Sequence, residues 1–213
     1  MSHVPGEPLT GTTDSVSSTV PLPVARSSAA TDVALVATFA ALLAVCAILP
    51  PVAVAGLAVP ITLQTFGVML AGLVLGPRRG ALAVLLYLAV GLAGLPVFAG
   101  GTGGVGVLGT ASAGYLVAFP FAALVAGFLA SRTGALRPAL RYAALFGSAM
   151  TASLLLVHPL GITVMGWRLG MSATEAIAAG AVFLPGDVVK NLLAALVASA
   201  VLRAFPDLLR RAR

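Results

Sequence analysis

Residues 63–95 read LQTFGVMLAGLVL-GPRR-GALAVLLYLAVGLAGL, which is two apolar runs separated by a short basic turn. Neither run contains a charged residue, so both suit the interior of a membrane. Gly76 and Pro77 end the first helix, while Arg78 and Arg79 favour a cytoplasmic surface. Each run is shorter than the ~20 residues of a straight crossing. We therefore expect two helices that pack inside a bundle or border a polar cavity.

The rest of the chain has the same character. Of its 213 residues, 60% are hydrophobic and 8% are charged, whereas a soluble domain carries about 25% charged residues. The surplus of apolar surface predicts an all-α integral membrane protein. Six transmembrane helices are predicted, at about Val33–Leu49, Leu63–Leu75, Ala81–Leu95, Ala113–Ala130, Leu140–Met165 and Phe183–Leu202.

The two ends of the chain differ from this membrane domain, which we place at residues 33–205. Residues 1–32 are rich in Ser, Thr, Pro and Gly and predict a disordered polar tail without a signal peptide. Residues 206–213 contain three arginines and predict a basic tail at a cytoplasmic membrane surface. The lone cysteine, Cys46, is expected to be a buried small hydrophobe.

The placement of basic residues predicts the orientation. With both termini in the cytoplasm, ten of the twelve Lys and Arg residues lie inside, and only Arg168 and Lys190 lie outside. The ten are Arg26, Arg78, Arg79, Arg132, Arg137, Arg141, Arg203, Arg210, Arg211 and Arg213. Because they form short patches between apolar runs, the net charge of +6 indicates anchoring in a multi-pass cell (plasma) membrane rather than nucleic-acid binding.

The strongest candidate site is at the start of the last span, in Leu184-Pro185-Gly186-Asp187-Val188-Val189-Lys190-Asn191. Asp187 and Lys190, the only lysine, are three residues apart and share one helix face. Charges in a membrane span usually face the bundle interior and mark a ligand or ion path. We interpret the pair, with Asn191, as a polar ligand site in which the ammonium meets a ligand carboxylate. The alternative is a self-neutralising structural ion pair.

Further polar groups lie at the same predicted outer face. Gln64 and Thr65 open the second span and are candidate ligand contacts. Tyr115 opens the fourth span, where it is either a ligand contact or an interfacial anchor. The glycine-rich segment Gly94–Ser112, including Gly101, Gly103 and Gly104, is either a lid over the ligand or a plain connector. His158 precedes Pro159 and predicts a kink rather than a metal site, and no metal site is predicted.

The chain has no motif of a P-loop ATPase, a serine hydrolase or a zinc protease. We therefore predict neither a catalytic site nor a cofactor, so any ATP-driven step needs another subunit. Close docking of a partner helix requires small residues in the contact. Two alanine pairs on the first span are candidates, namely Ala37 with Ala41 and Ala40 with Ala44.

Several stretches resemble one known family when taken together and in order. They are Pro60-Ile61-Thr62-Leu63-Gln64-Thr65, Leu75-Gly76-Pro77-Arg78-Arg79-Gly80, Gly94-Leu95-Pro96-Val97-Phe98, Gly114-Tyr115-Leu116 and Phe183-Leu184-Pro185-Gly186-Asp187-Val188-Val189-Lys190. The chain resembles the biotin-specific S components, of the BioY type, of energy-coupling-factor transporters. The likeness spans about Val33 to Arg203. It departs from the family's usual Gly-Pro-Thr-Gly-Gly-Tyr at residues 110–115, which read Thr-Ala-Ser-Ala-Gly-Tyr.

The resemblance implies a six-helix fold that binds biotin near its outer surface, under the loop between the third and fourth helices. Asp187 and Lys190 fall on the family's ligand contacts, and Gln64 and Tyr115 on further ones. It also implies two kinds of partner, a transmembrane coupling subunit and a pair of cytoplasmic ATPases. Two other functions remain open from the residues, namely an S component for a different small vitamin and a self-sufficient secondary carrier.

Overall fold

The computed structural model describes residues 29–52 and 58–205, together with Met1 and Leu208. The predicted disordered tail up to residue 28 and nearly all of the predicted basic C-terminal tail lie outside these residues. In chain order the helices are α1 (Ala29–Ile48), α2 (Gln64–Leu92), α3 (Ala113–Ser131), α4 (Pro138–Ala152), α5 (His158–Leu169), α6 (Ala173–Ala181) and α7 (Leu184–Ala204). Within the described ranges the chain forms no strand beyond two isolated bridges, so the all-α prediction is confirmed.

Helix α2 is a helical hairpin rather than one straight helix. Its backbone leaves the helical region at Gly76, where φ is 79° and ψ is −176°. A positive φ of this kind suits glycine, which has no Cβ to clash with the following peptide. On the two arms, Gln64 Nε2 and Tyr87 Oη lie 2.7 Å apart, whereas a straight helix would separate these residues by roughly 35 Å. The Gly76-Pro77-Arg78-Arg79 turn therefore reverses the chain as the sequence predicts.

The hairpin explains why five uninterrupted helical segments give six membrane spans. Among the residues that the structure describes, the five segments long and apolar enough to cross a membrane are α1, α2, α3, residues 138–169 and α7, and α2 contributes two arms. Residues 138–169 form one span because a π-helical turn, Ser153–Val157, joins α4 to α5. The prediction of six spans is confirmed, and the chain is a multi-pass membrane protein.

The first helix begins earlier than the predicted span. It starts at Ala29 and extends through Ala30, Thr31 and Asp32, whereas the span was predicted from about Val33. The domain boundary at residue 33 stays a prediction. An ion pair of 2.7 Å between Asp32 Oδ1 and Arg79 Nη2 joins this first turn to the α2 hairpin. An acidic side chain in the first turn also interacts favourably with the helix dipole. Polar composition alone had placed these residues in the tail.

The outer surface of the bundle is apolar. Large hydrophobic side chains remain exposed along several helices, including Leu85, Phe121, Leu155 and Leu196. By contrast, nearly every residue of the first α2 arm, from Gln64 to Gly76, is buried. A membrane protein presents such apolar side chains to lipid. The prediction that the short second span lies inside the bundle is therefore confirmed for this arm.

Close helix contacts around the hairpin depend on glycine. A Cβ on Gly72 would collide with the backbone of Ala123 in α3, and one on Gly127 would collide with the backbone at Gly76 and Pro77. Membrane helices often use small residues in this way. Because the surrounding lipid is itself apolar, the hydrophobic effect does not drive helices together, and they associate through close packing. Helix α3 thus lies directly against the hairpin turn.

The segment between α2 and α3 folds over the open end of the hairpin. It contains two short 3-10 turns, Ala99–Gly101 and Val105–Gly109. Phe98 is buried with its ring edge-on to Tyr87, at 5.5 Å between centroids. The backbone N–H of Gly104 donates to Gly91 O at 2.7 Å, and Arg168 of α5 donates to Leu108 O at 3.0 Å. We call residues 94–112 the covering segment.

Helix α6 is a short helix that the sequence analysis did not predict. Its start has a capping box, in which Ser172 and Glu175 exchange side-chain and backbone hydrogen bonds. The Ser-x-x-Glu spacing is the sequence feature that could have predicted the start of this helix. Hydrogen bonds from the side chain and backbone of Ser172 hold the pKa of Glu175 below its usual range.

We predict that Gly127→Ala destabilises the bundle, because the added methyl group meets the fixed backbone of the hairpin turn. Overpacking of this kind typically costs about 1–3 kcal/mol. The matched control is Gly147→Ala in α4, where a Cβ meets nothing within 4 Å. Thermal unfolding in detergent measures both. Equal melting temperatures for the two variants would contradict the packing described here.

Candidate ligand-binding site

A buried ion pair lies at the start of α7. Asp187 and Lys190 are only 3% and 7% exposed, and Lys190 Nζ lies 2.5 Å from Asp187 Oδ1. The ammonium also donates to the main-chain oxygen of Thr62 at 3.2 Å. The three-residue spacing therefore places both charges on one face, and that face points into the bundle as predicted.

The Asp187 carboxylate has two more partners on other helices. Thr65 Oγ1 in the first α2 arm donates to Oδ1 at 3.1 Å. His158 Nε2 at the start of α5 lies 2.9 Å from Oδ2. An isolated buried carboxylate is strongly unfavourable, whereas one that is paired and hydrogen-bonded is tolerated. Asp187 thus joins α2, α5 and α7 through one side chain.

Local backbone structure aims these groups at one another. Pro185 lies in the first turn of α7, where its missing N–H leaves no helical bond unmade. A carboxylate in that turn, such as Asp187, interacts favourably with the helix dipole. On the other side, the widened π turn before α5 lets the His158 N–H bond Ser153 O five residues back. Bulges of this kind are frequent at functional sites.

A cavity of about 250 Å³ lies beside the ion pair. This is close to the lower end of the ~300–1,000 Å³ typical of small-molecule sites, which are mostly apolar with a few placed polar groups. Its polar lining consists of Thr62, Gln64, Thr65, Thr102, Thr110, Ser112, Tyr115, Asp187 and Lys190. Its apolar lining includes Val59, Phe98, Val107, Leu116, Phe119, Val157 and Phe183. The covering segment forms part of the wall through residues 98, 99, 102, 107, 110 and 112.

Two polar side chains in the wall, Gln64 and Tyr115, differ in how many of their hydrogen-bonding groups are already paired. Gln64 donates from Nε2 to Tyr87 Oη, which in turn donates to the main-chain oxygen of Val97 at 3.1 Å. Thr62 Oγ1 donates to Gln64 Oε1 at 3.0 Å. The Tyr115 hydroxyl is buried and has no hydrogen-bond partner among the described residues. Tyr115 is therefore a free donor and acceptor at the cavity wall.

The site can now be compared with known proteins. The profile of the BioY family matches residues 17–207, nearly the whole chain. The chain belongs to the BioY family. Two similar relatives are the proteins named biotin transporter BioY from Rhizobium etli and from Rhodobacter capsulatus. The first is 39% identical over 183 residues, which cover 85% of this chain and 98% of the relative. The second is 40% identical over 189 residues, which cover 84% and 96%.

A solved structure supports the same assignment. The fold matches the crystal structure at 2.1 Å of the S-component for biotin from an ECF-type ABC transporter, with a TM-score of 0.74 and 26% identity. The match covers 82% of this chain and 92% of that one. The predicted family is confirmed, as is the S-component-like bundle. The family is one of transport proteins rather than enzymes.

Four of the predicted site residues meet at the cavity, namely Asp187, Lys190, Gln64 and Tyr115. Their contact with a ligand remains a prediction. Asn191 is buried, but it turns away from the cavity, and its Nδ2 lies 3.1 Å from Met150 Sδ in α4. It does not line the cavity because residue 191 lies about 100° around the helix from Lys190, and its contact with a ligand stays a prediction.

The glycines of the covering segment are also outside the cavity wall. Gly101, Gly103 and Gly104 do not line it, although Ala99, Thr102 and Val107 of the same segment do. The glycines shape the turns instead: φ is positive at Gly101 and Gly104, and a Cβ on Gly103 would strike the backbone at Leu95. The segment forms part of the cavity wall while its glycines set the backbone turns, and its role as a lid over a ligand stays a prediction.

On α1, only one of the two predicted small-residue pairs is accessible. Ala40 is buried in the core and Ala44 is half-buried, so this pair is less open to a partner helix, and its docking role stays a prediction. Ala37 and Ala41 are exposed. Within each pair the four-residue spacing keeps both alanines on one side of the helix, and the bundle covers the side of Ala40 and Ala44 more than that of Ala37 and Ala41.

Sequence reasoning missed His158 as a site residue. The predicted irregularity at His158-Pro159 is present as the π turn, but the imidazole itself contacts Asp187. An ionisable residue inside an apolar span was the available signal. Tyr87 was missed as well. It gave no signal, since hydroxyl groups are common in membrane helices.

We predict that removing either charge destabilises the bundle more than removing both. Asp187→Leu leaves Lys190 and His158 without their partner, and Lys190→Met leaves the carboxylate without its closest cation. Breaking a buried pair typically costs about 3–5 kcal/mol, whereas replacing it with apolar groups is often neutral. Thermal unfolding of both single variants and the double variant tests this. A double variant as unstable as the sum of the single ones would contradict it.

Proposed function

We propose that this chain is the biotin-binding, substrate-specificity subunit of a vitamin importer, which captures biotin and releases it inward. The observation that carries the proposal is the buried Asp187–Lys190 pair beside a mostly apolar cavity. It is supported by the likeness to a biotin S-component and to relatives named as biotin transporters.

The chemistry of the cavity matches the three parts of biotin. The ureido ring has two N–H donors and one carbonyl, the sulfur-containing ring is apolar, and the valerate chain ends in a carboxylate. Phe98, Phe119 and Phe183 provide apolar walls, and Gln64 and Tyr115 provide polar groups. A pocket with few polar groups in an apolar wall fixes orientation through those groups.

We assign the ligand carboxylate to Lys190. Asp187 already receives three donors, from Thr65, His158 and Lys190, and is therefore largely occupied as an acceptor. Lys190 Nζ has three N–H bonds and uses two of them, on Asp187 and Thr62. The third remains for an anion. The Tyr115 hydroxyl, which is buried without a hydrogen-bond partner among the described residues, is a further group with free capacity at the wall.

The proposed transport cycle needs partners. Because the sequence has no ATPase motif, we propose that a transmembrane coupling subunit and two cytoplasmic ATPases drive release. Ala37 of α1 lines an open groove with Leu82, Leu85 and Leu86 of the second α2 arm. Small, exposed residues at Ala37 and Ala41 permit close approach of a coupling helix.

We predict that purified protein binds biotin tightly and that Lys190→Met weakens binding by about 10- to 100-fold, the value of a hydrogen bond to a charged group. Titration calorimetry measures both. Biotinol, in which an alcohol replaces the carboxylate, should bind wild type more weakly by a similar factor. It should bind Lys190→Met about as well as biotin does.

The matched control is Val189→Met, at the neighbouring position that faces outward with 55% exposure. It should bind like wild type. If Lys190→Met still prefers biotin to biotinol by the wild-type factor, the carboxylate does not lie at Lys190. If another small vitamin displaces biotin at much lower concentration, the chain serves that vitamin instead.

We predict that Ala37→Leu with Ala41→Leu prevents co-purification with a co-expressed coupling subunit and its ATPases, because the larger side chains hold the helices apart. Biotin binding by the isolated variant should be unchanged, since neither residue lines the ligand cavity. Ala143→Leu, at an exposed alanine of α4, is the control. Full recovery of the complex with the α1 variant would place docking elsewhere.

A further inference from the structure

The imidazole of His158 is the buried ionisable group that the proposed binding step leaves without a role. It is 5% exposed and does not line the cavity. Its only described polar contact is Nε2 to Asp187 Oδ2, at 2.9 Å. It therefore cannot touch a ligand in the cavity directly, and any effect on binding must pass through Asp187.

We propose that His158 is a positioning residue, a neutral imidazole whose Nε2–H holds the second oxygen of Asp187 so that the first oxygen fixes Lys190 at the cavity. This inference rests on the proposed function, because the group it positions is the assigned partner of the ligand carboxylate. It adds a residue of the fifth span to the binding mechanism.

The geometry supports this division between the two oxygens. Thr65 and Lys190 both contact Oδ1, and His158 alone contacts Oδ2. Without a donor on Oδ2 the carboxylate could rotate and take the ammonium on both oxygens. Such a shift would draw Lys190 away from Thr62 O and from the cavity wall. One hydrogen bond from His158 thus keeps the ammonium available.

The second ring nitrogen indicates which form of the imidazole is present. Both ring nitrogens are buried, and neither makes a well-aligned hydrogen bond within residues 29–52 and 58–205. They differ in their surroundings, because Nε2 lies 2.9 Å from Asp187 Oδ2 whereas no polar contact is found at Nδ1. A proton there would be a buried donor without an acceptor, which native proteins rarely contain. The charged and titratable groups around the ring are Asp187 and Lys190 from α7 and Tyr115 from α3, whose ring packs on Gly161. The Nε2–H form, with a bare Nδ1, satisfies this environment.

The backbone supports the same role. The π turn at Ser153–Val157 ends at His158, and Pro159 follows it. Pro159 cannot donate a helical hydrogen bond, and the widened turn accommodates it. The position of the imidazole is therefore set by the backbone of the span and not only by its contact with Asp187.

Two amide substitutions test the proposal with matched chemistry. In His158→Gln the amide nitrogen is at the far end of the side chain, where Nε2 lies, and in His158→Asn it is nearer the backbone, where Nδ1 lies. We expect His158→Gln to retain most of the biotin affinity and His158→Asn to lose roughly 10- to 100-fold. His158→Leu should lose at least as much. Melting temperatures are measured for all three.

Affinity that follows only the melting temperature, with no preference for Gln over Asn, would overturn the positioning role. The second arm needs no ligand. The sequence has two histidines, His3 and His158, so His3→Gln leaves one imidazole for ¹⁵N-histidine labelling. Near neutral pH its spectrum should show a neutral ring protonated at Nε2, with and without biotin. A charged ring or an Nδ1–H ring would reject the proposal.

The two arms keep this inference separate from the proposed function. If wild type binds no biotin but the Nε2–H signature is present, the proposed function fails while the His158–Asp187 contact stands. If wild type binds biotin and the signature or the Gln preference is absent, the proposed function stands and the positioning role fails.

Discussion

A carboxylate inside an apolar bundle must be paired, and most of the site follows from that requirement. Asp187 is 3% exposed and receives donors from Thr65, His158 and Lys190. Because the desolvated charge is so unfavourable alone, the helices that carry its partners are constrained to meet there. The same contacts hold the Lys190 ammonium at the wall of the cavity. Groups from three spans orient its remaining N–H.

The α2 hairpin makes room for this site. Its turn at Gly76 packs against Gly127 of α3, so the closed end of the hairpin is tight. Its open end carries Gln64 and Tyr87, which bond to each other below the covering segment. The cavity lies at this open end, where Gln64 and Thr65 are part of its wall. Polar groups line that end, and lipid-facing side chains line the outside.

Much of the fold could be predicted from the sequence, because membrane spans are read from local composition. The apolar runs, the Gly76-Pro77 reversal and the shared face of Asp187 and Lys190 are all local features. Local features do not give the direction of every side chain. Asn191 was suggested as a site residue because it is adjacent to Lys190, but its side chain contacts Met150. Ala40 shows it again, since an alanine pair gives no indication of which face the bundle buries. His158 was taken for a kink because its partner lies 29 residues away.

The sequence by itself determined the class of protein, the number of spans and the family, because hydrophobicity, turn residues and ordered motifs act over a few neighbouring positions. Only the tertiary structure decided which polar groups are partners. It placed Thr65, His158 and Asp187 in one cluster, left the Tyr115 hydroxyl free and turned Asn191 away. These outcomes depend on how whole helices rotate and cross, and packing across the bundle sets that rotation.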